Sequence, residues 1–322
     1  MKTILVTGCA GFIGSHISEM LLQKGFKVIG IDNFDSFYSR EIKEKNILSI
    51  IKDPGFSFYE LDITSNFNHS IQEDNIDAVI HLAAKAGVRP SIEDPGGYIK
   101  TNITGTQNIH AFMQTRGIIK LIFASSSSVY GNNKNIPFSE NDIVDNPISP
   151  YAFSKKAGEL MNYTFHHLYK VDIINLRFFT VYGPRQRPDL AIYKFVKKIN
   201  AGEPITIFGN GDTARDYTYI EDTVAGIYNA LQYCLTNKGV YLTLNLGNNN
   251  PVKLKTLVDI IYNNMNTTPQ IKVESMQPGD VEITYADITK AADIIKYKTN
   301  TGIVEGIKKF IAWFNNDNKP VE

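Results

Sequence analysis

The fold is decided by the stretch from Lys2 to Asn33, which reads Ile4-Leu5-Val6-Thr7, Gly8-Cys9-Ala10-Gly11-Phe12-Ile13-Gly14, a helical pattern, and Val28-Ile29-Gly30-Ile31-Asp32-Asn33. The first apolar run is short, rich in β-branched residues and stopped by a glycine, which favours a buried parallel strand. The apolar residues that follow recur at helical spacing as far as Gly25. The stretch therefore predicts a strand, a glycine turn, a helix and a second strand.

Three glycines spaced three residues apart at this turn predict a dinucleotide site. Gly8 permits a tight turn, Gly11 leaves room for a pyrophosphate, and Gly14 lets the helix pack closely on the strand. The backbone N–H groups of this turn, including those of Phe12 and Ile13, then point at phosphate with the positive end of the helix. An ordinary strand-to-helix turn is the alternative, but the strand before it, the helix after it and Asp32 favour the dinucleotide.

The acid at the end of the second strand indicates which dinucleotide is bound. Asp32 can accept hydrogen bonds from an adenosine ribose and would repel a 2′-phosphate, and the next residue, Asn33, is uncharged. NAD is therefore favoured over NADP. Arg40 lies close enough in sequence to leave NADP open.

Composition excludes several classes of function. The 322 residues, 43% of them apolar, can fill one large α/β unit or two unequal domains. With 33 basic and 33 acidic residues there is no bulk charge to attract nucleic acid or an acidic membrane. No apolar run reaches the ~18 residues of a membrane span, so we expect a cytoplasmic protein. Two cysteines, Cys9 and Cys234, support neither a disulfide framework nor a metal site.

Strand and helix patterns alternate along the rest of the chain, which predicts an α/β, Rossmann-like doubly wound parallel sheet with a smaller C-terminal α/β substrate domain. We place the dinucleotide domain at residues 1–180, joined by about 219–247, and an interleaved substrate domain at 181–322. Ligands of such sheets lie beyond the carboxyl ends of the strands. The predicted contacts at those ends are Asp62, Ile63, Leu82, Ala83, Ala84, Lys85 and Ser125; for Asp62, capping of the following turn is an equal alternative.

Tyr151 and Lys155 stand four residues apart in a predicted helix, so their side chains share one face. A phenol with a pKa near ~10 is a poor base at neutral pH. A neighbouring ammonium and an oxidised nicotinamide would both lower that pKa. Tyr151 would then take a proton from a substrate hydroxyl while NAD takes the hydride, and Lys155 would also hold the nicotinamide ribose. A surface pair without function is the alternative.

Taken together, these motifs make the chain resemble an extended short-chain dehydrogenase/reductase of the nucleotide-sugar epimerase group over essentially its full length. The matching segments are Thr7–Gly14, His81–Ala84, Ser125–Gly131 and Tyr151–Lys155. The resemblance implies tight NAD binding, a helix-mediated homodimer, and UDP held largely by the C-terminal domain. It also implies a catalytic role for Ser126 beside Tyr151 and Lys155, and places Asn102 in the cofactor site as a structural residue that supports the helix carrying Tyr151.

Within this group, the chain is more similar to UDP-glucuronate 4-epimerases than to UDP-galactose epimerases, which carry Asn where Thr180 stands. By this resemblance, oxidation at carbon 4, a swing of the keto ring and return of hydride to its other face would invert the sugar. The sugar's carboxylate would be held by neutral donors, with Arg187 supplying or steering positive charge and Arg215 pairing with the diphosphate. The implied substrate residues are Arg89, Ser126, Ser127, Ser128, Thr180, Arg187, Arg215 and, more weakly, Asp280.

Other functions stay open on the sequence. An epimerase of UDP-glucose or UDP-N-acetylglucosamine is the main alternative. UDP-glucuronate decarboxylases resemble this chain but place Glu at Ser128, and sugar 4,6-dehydratases place an Asp-Glu pair at Ser127-Ser128. A non-enzymatic NAD-dependent sensor, a class that often lacks the tyrosine or the lysine, is the third alternative. For the serines, an ordinary polar loop is the structural alternative.

Overall fold

The structure, a computed structural model, describes residues 1–275 and 281–317. Its strands, in chain order, are β1 (Thr3–Thr7), β2 (Lys27–Asp32), β3 (Phe56–Glu60), β4 (Ala78–His81), β5 (Lys120–Ser126), β6 (Asp172–Phe178), β7 (Thr180–Tyr182), β8 (Ile205–Phe208), β9 (Ala214–Tyr219), β10 (Tyr241–Leu246), β11 (Pro251–Lys253) and β12 (Ile271–Glu274).

The helices cover the sheets and connect their strands. In chain order they are α1 (Phe12–Gln23), α2 (Arg40–Ile47), α3 (Val88–Glu93), α4 (Pro95–Tyr98), α5 (Gly105–Thr115), α6 (Pro150–Tyr169), α7 (Ala191–Asn200), α8 (Ile220–Thr236), α9 (Leu254–Met265), α10 (Thr289–Ile295) and α11 (Ile303–Asp317). A π-helical segment, Ile99–Thr104, joins α4 to α5, and a 3₁₀ turn, Ser127–Tyr130, follows β5.

A seven-stranded parallel sheet in the order β10-β6-β5-β4-β1-β2-β3 forms the centre of the molecule. The strand order reverses between β1 and β4, and a crevice opens beyond the strand ends at such a reversal. Strands β1 and β4–β6 are almost wholly buried because helices cover both faces of the sheet. The predicted α/β fold class is confirmed.

The last strand of this sheet comes from the second half of the chain. β10 pairs in parallel with β6, and α8, which precedes it, packs against α1, β5 and β6. Two smaller sheets, β11-β9-β7 and β12-β8, lie beyond. The chain therefore leaves the large sheet after β6 and returns to it; the domain limits themselves stay a prediction.

One long helix predicted by the periodicity is interrupted. The pattern from Tyr98 to Arg116 predicts continuous helix, whereas the structure places six residues of π-helix, Ile99–Thr104, before α5. The wider turn is a local insertion of the kind found at functional sites, and here it carries the buried Asn102. Apolar periodicity reports the buried face and is insensitive to one such turn.

Helix α6 leaves several apolar side chains exposed on its outer face. Phe153 is 46% exposed, Leu160 57%, Tyr163 56% and Leu168 60%. An apolar stripe of this size is typical of an interaction surface. The homodimer stays a prediction.

A buried ion pair supports the strand end that carries the serines. Glu159 of α6 accepts from Arg177 Nε at 2.8 Å and Nη2 at 2.9 Å, and from Ser125 Oγ at 2.6 Å. The side chains of Arg177 and Glu159 are only 4% and 5% exposed. Arg177 also lies 4.8 Å from the centre of the Tyr130 ring. The network ties β5, β6 and α6 together directly behind the cleft.

We expect Glu159→Gln to lower the free energy of unfolding by about 3 kcal/mol or more, because the Arg177 charge would stay buried without a counter-charge. Chemical denaturation followed by circular dichroism measures the change. Glu44→Gln is the matched control, since its Arg40 partner is also an arginine but both side chains are 51% exposed. Equal losses in the two variants would contradict the role given to the buried pair.

Candidate active site

A cleft of about 520 Å³ opens beyond the carboxyl ends of the large sheet. Most residues that the sequence predicts for the site line it, from the glycine turn through the strand ends to the loop after β7. These residues are Gly8, Gly11, Phe12, Ile13, Gly14, Asp32, Asn33, Asp62, Ile63, Leu82, Ala83, Ala84, Lys85, Ser125, Ser126, Ser127, Ser128, Tyr151, Lys155, Thr180, Arg187 and Arg215.

The glycine turn has the close approach that a dinucleotide cradle needs. Gly8 has φ +72°, and a Cβ at Gly14 would lie 1.9 Å from the Gly8 carbonyl oxygen. Gly11 precedes α1 with extended backbone, and no side chain caps the helix. The first N–H groups of α1 are therefore available to an anion, and the residues present fit a pyrophosphate.

Asp32 is preorganised for a ribose. Its carboxylate accepts from Ala10 N at 3.1 Å and from Phe34 N at 2.8 Å, and burial raises its pKa. Arg40 is the residue whose position in the sequence leaves NADP open. Its guanidinium instead donates hydrogen bonds to Glu60 at 2.8 and 2.7 Å and to Glu44 at 2.7 Å. The geometry removes this argument for NADP.

Asp62 fits both roles that the sequence suggests, since it caps the following turn and also lines the cleft. Its Oδ1 accepts from Thr64 N at 2.7 Å, which caps the following turn, and the residue also lines the cleft beside Ile63. One carboxylate oxygen is thus engaged locally while the side chain still faces the site.

A buried hydrogen-bonded chain fixes the wall that follows β4. Thr7 Oγ1 accepts from Leu82 N at 3.2 Å and Ala83 N at 3.1 Å, and it lies 2.7 Å from His81 Nδ1. His81 Nε2 lies 3.1 Å from Thr106 Oγ1, whose own proton goes to Asn102 O. Since Thr106 must then accept, His81 carries its proton on Nε2. Burial, and next the Lys155 charge, lower the pKa of His81 to about 3, so it stays neutral.

Asn102 lies behind the cleft and does not line it. Its side chain accepts from Lys85 N at 2.8 Å and donates to Lys85 O and Ser154 Oγ, each at 2.9 Å. It therefore connects the wall after β4 to α6, next to Tyr151. The contact with Ser154 agrees with the predicted support of the helix that carries Tyr151, and Asn102 acts on the cleft through the segments it connects rather than by lining it.

The tyrosine and lysine of α6 enter the cleft together. Ser149 caps this helix by accepting from Ala152 N at 3.1 Å, and Pro150 begins it. Lys155 is 5% exposed, its Nζ donates to Ala124 O at 2.8 Å, and burial lowers its pKa to about 8. An ammonium that can exchange its proton near neutral pH is thus held at the end of β5.

The pKa of Tyr151 differs from the sequence-based prediction. Burial raises it, and the Ser126 hydrogen bond and the Arg187 charge act in the opposite direction. Neighbouring charge does act to lower this pKa, but it comes from Arg187, and desolvation outweighs it. The contribution of an oxidised nicotinamide stays a prediction. The Lys155 ammonium, meanwhile, is directed to the Ala124 carbonyl.

Hydroxyl groups form the wall beside Tyr151. Ser126 Oγ accepts from Ser128 N at 3.1 Å, which starts the 3₁₀ turn. Ser128 Oγ is buried and makes no hydrogen bond with any residue that the structure describes. Thr180 lines the same cleft at the start of β7. Ser125 differs from its neighbours, since its hydroxyl is committed to Glu159.

The predicted cationic residues lie in different places. Arg187 lines the cleft but forms an ion pair with Asp189, and Arg215 lines it while Nη1 donates to Ala214 O at 2.9 Å. Arg89 does not line the cleft and stacks 5.0 Å from the centre of the Phe208 ring. Asp280 lies outside the described residues.

Sequence reasoning missed part of the cofactor end of the cleft. Phe37, Tyr38 and Lys43 line it, and Lys43 Nζ donates to Asp35 O at 2.6 Å. Their signal is weak, because the loop after Asn33 has no regular pattern and a lysine in a helix is usually solvated. Only the fold brings them beside Asp32.

Known proteins resemble this chain in sequence and in fold over nearly its whole length. A UDP-glucuronate 4-epimerase from Thermodesulfobacterium geofontis is 42% identical over 319 residues, covering 97% of this chain and 96% of that protein. The structure matches UDP-glucuronic acid 4-epimerase from Bacillus cereus, solved with UDP-glucuronic acid and NAD, with a TM-score of 0.92, 33% identity, and 98% and 99% of the two chains covered.

A third relative has another substrate. UDP-N-acetylglucosamine 4-epimerase from Methanobrevibacter ruminantium, solved with UDP-N-acetylmuramic acid, matches with a TM-score of 0.88 and 30% identity, covering 98% of this chain and 99% of that one. The family model described as GDP-mannose 4,6 dehydratase matches residues 5–310. From the glycine turn to α11, this chain therefore belongs to the GDP-mannose 4,6-dehydratase family of extended short-chain dehydrogenases/reductases.

Proposed function

We propose that the protein is an NAD-dependent UDP-sugar 4-epimerase whose substrate is UDP-glucuronate and whose product is UDP-galacturonate. The observation that carries the choice of sugar is the wall of hydroxyls beside Tyr151, in which Ser128 Oγ is buried without a hydrogen-bond partner among the described residues. A carboxylate accepts hydrogen bonds only, and it would supply that partner. The similarity to UDP-glucuronate 4-epimerases supports the same choice.

The cradle of the glycine turn, Asp32, Asn33, Asp62, Ile63 and the wall at 82–85 would hold NAD. When bound, NAD accepts a hydride from carbon 4 of the sugar and returns it. The protein's task is to orient the sugar, move the hydroxyl proton and exclude water.

Tyr151 would accept the proton of the carbon 4 hydroxyl and give it back after the ring has turned. Ser126, which hydrogen-bonds to Tyr151, would orient the phenol and the substrate oxygen. Lys155 lies one helical turn further on, and at neutral pH its ammonium stabilises negative charge in this region. A positive nicotinamide close by would add to this effect, offsetting the desolvation that raises the pKa of Tyr151.

The sugar's carboxylate would be held by Ser126, Ser127, Ser128 and Thr180. UDP-glucuronate decarboxylases carry Glu where Ser128 stands, so an acid there accompanies loss of the carboxylate, whereas neutral hydroxyls beside it favour its retention. Hydrogen bonds from these hydroxyls also matter chemically, because the 4-keto intermediate is a β-keto acid that loses carbon dioxide more readily when its carboxylate is desolvated. Arg215, which lines the far part of the cleft, is suited to the diphosphate.

One experiment tests the substrate. The purified protein is incubated in parallel with UDP-glucuronate, UDP-glucose and UDP-N-acetylglucosamine, and the products are separated by chromatography. We expect UDP-galacturonate from the first, with a kcat/KM at least about tenfold above the other two. Preference for either neutral sugar would assign the chain to the alternative substrate class, and a pentose product would make it a decarboxylase.

A second test concerns the base. Tyr151→Phe should reduce turnover by about 10²–10⁴-fold, because it removes the group that carries the proton. UDP-sugar binding, measured by calorimetry, should stay within about twofold of wild type. Retention of more than about a tenth of the wild-type rate would show that another group is the base.

A third test concerns recognition of the sugar's carboxylate by the hydroxyl groups of the cleft. Ser128→Glu places a negative charge in the hydroxyl wall, and we expect kcat/KM for UDP-glucuronate to fall at least tenfold, since like charges about 4 Å apart repel by about 4 kcal/mol near a protein surface. Ser128→Gln is the control of the same length without the charge. The inhibition constant of UDP should change little in both. Equal losses in the Glu and Gln variants would mean that bulk, and not charge, is sensed.

A further inference from the structure

The Arg187 guanidinium is already paired within its own loop. Its Nε donates to Asp189 Oδ1 at 2.9 Å and its Nη2 donates to Asp189 Oδ2 at 2.7 Å. This two-pronged geometry is the one by which arginine holds a substrate carboxylate. An incoming carboxylate therefore meets an arginine whose Nε–Nη2 edge is occupied.

Two further contacts fix the same guanidinium in the cleft wall. Nη2 also donates to Ala86 O at 3.2 Å, and Cζ lies 5.1 Å from the centre of the Phe37 ring. The Arg187 side chain is 16% exposed and that of Asp189 is 30% exposed. Arg187 thus joins the loops after β2, β4 and β7.

This cluster adjoins the proposed reacting centre. Ala86 O also accepts from Tyr98 OH at 3.1 Å, and the Tyr98 ring packs edge-on against Tyr151 with centres 6.1 Å apart. Arg187 and Ser128 line the same cleft. In a glucuronate ring the carboxylate is attached to carbon 5, next to the carbon 4 hydroxyl that Tyr151 would deprotonate, so the carboxylate would lie within reach of the Arg187 charge.

We propose that Asp189 is a specificity-determining residue that neutralises Arg187 and so prevents it from clamping the carboxylate of the sugar. The proposal rests on UDP-glucuronate being the substrate. After oxidation the ring must turn to present its other face, and a bidentate ion pair to the carboxylate would oppose that movement. Hydroxyl donors form weaker single bonds that can be exchanged as the ring turns. Asp189 therefore lowers affinity in favour of turnover.

Asp189→Asn tests this directly, because the amide has the same shape, still accepts one hydrogen bond and carries no charge. We expect the KM for UDP-glucuronate to fall about fivefold or more, as a charge-assisted bond becomes available, and kcat to fall by a similar factor. The inhibition constants of UDP-glucose and UDP should change less than about twofold. Asp189→Glu, which keeps the charge, should restore values near those of wild type.

If the proposal is correct, the effect of Asp189→Asn on KM and kcat depends on the presence of Arg187. In an Arg187→Met background, Asp189→Asn should leave the KM and kcat for UDP-glucuronate unchanged within about twofold, because the two residues then no longer interact. Melting temperature and bound NAD are measured for each variant, so a variant that does not fold is recognised; in that case Asp189→Glu and Asp189→Ser are compared in the same way.

Several outcomes would overturn the proposal. Equal gains for UDP-glucuronate, UDP-glucose and UDP would indicate a general charge effect, and unchanged KM and kcat would show that Asp189 masks nothing. Loss of bound NAD with no difference between the sugars would show that the Arg187–Asp189 ion pair only stabilises the structure of the loop. A wild-type enzyme that does not epimerise UDP-glucuronate would overturn the proposed function itself, and this result precedes any comparison of variants.

Discussion

The close approach of three strand ends at Gly8 is the constraint on which the site depends. Gly8 N donates to Ile31 O at 2.7 Å, a Cβ on Gly8 would lie 2.9 Å from Ala83 N, and one on Gly14 would overlap the Gly8 carbonyl. A side chain at either glycine would separate α1 from β1 or β1 from β4. The cradle, Asp32 and the wall at 82–85 are therefore one packing arrangement, and none of them can be placed independently of the others.

Much of this was predictable because local chemistry determines it. The glycine turn, the ends of β1, β2 and β5, and the pair Tyr151 and Lys155 follow from spacing and periodicity within short windows. No short window of sequence predicts that β10 pairs with β6. That placement depends on the alternation of strands and helices along the whole chain. The π-helical turn at 99–104 carries no such signal, since its residues keep the buried face of an ordinary helix.

Side-chain pairings that residue spacing does not reveal account for what the sequence could not supply. Arg40 suggested a 2′-phosphate by its distance along the chain from Asp32, but its partner Glu60 stands on the neighbouring strand. Arg187 suggested a free positive charge, whereas the structure pairs it with Asp189 in the same loop. Asn102 suggested a structural role beside the helix of Tyr151, and only tertiary structure shows that its amide joins Lys85 to Ser154.

The distribution of positive charge bears on the role as a base that we propose for the buried phenol of Tyr151. Arg177 and Arg187 are each neutralised by a carboxylate, Glu159 and Asp189, whereas Lys155 is bound to a neutral carbonyl. Burial therefore lowers the pKa of Lys155. Burial acts to lower the pKa of Arg187 as well, but the hydrogen bond and the charge of Asp189 outweigh burial and raise it. In the proposed mechanism, Lys155 supplies a cation on the same helix as Tyr151, beside the Arg187 charge that acts to lower the pKa of Tyr151. Under the proposed function, this distribution would avoid a strong ion pair with the sugar carboxylate and keep positive charge beside the proton transfer.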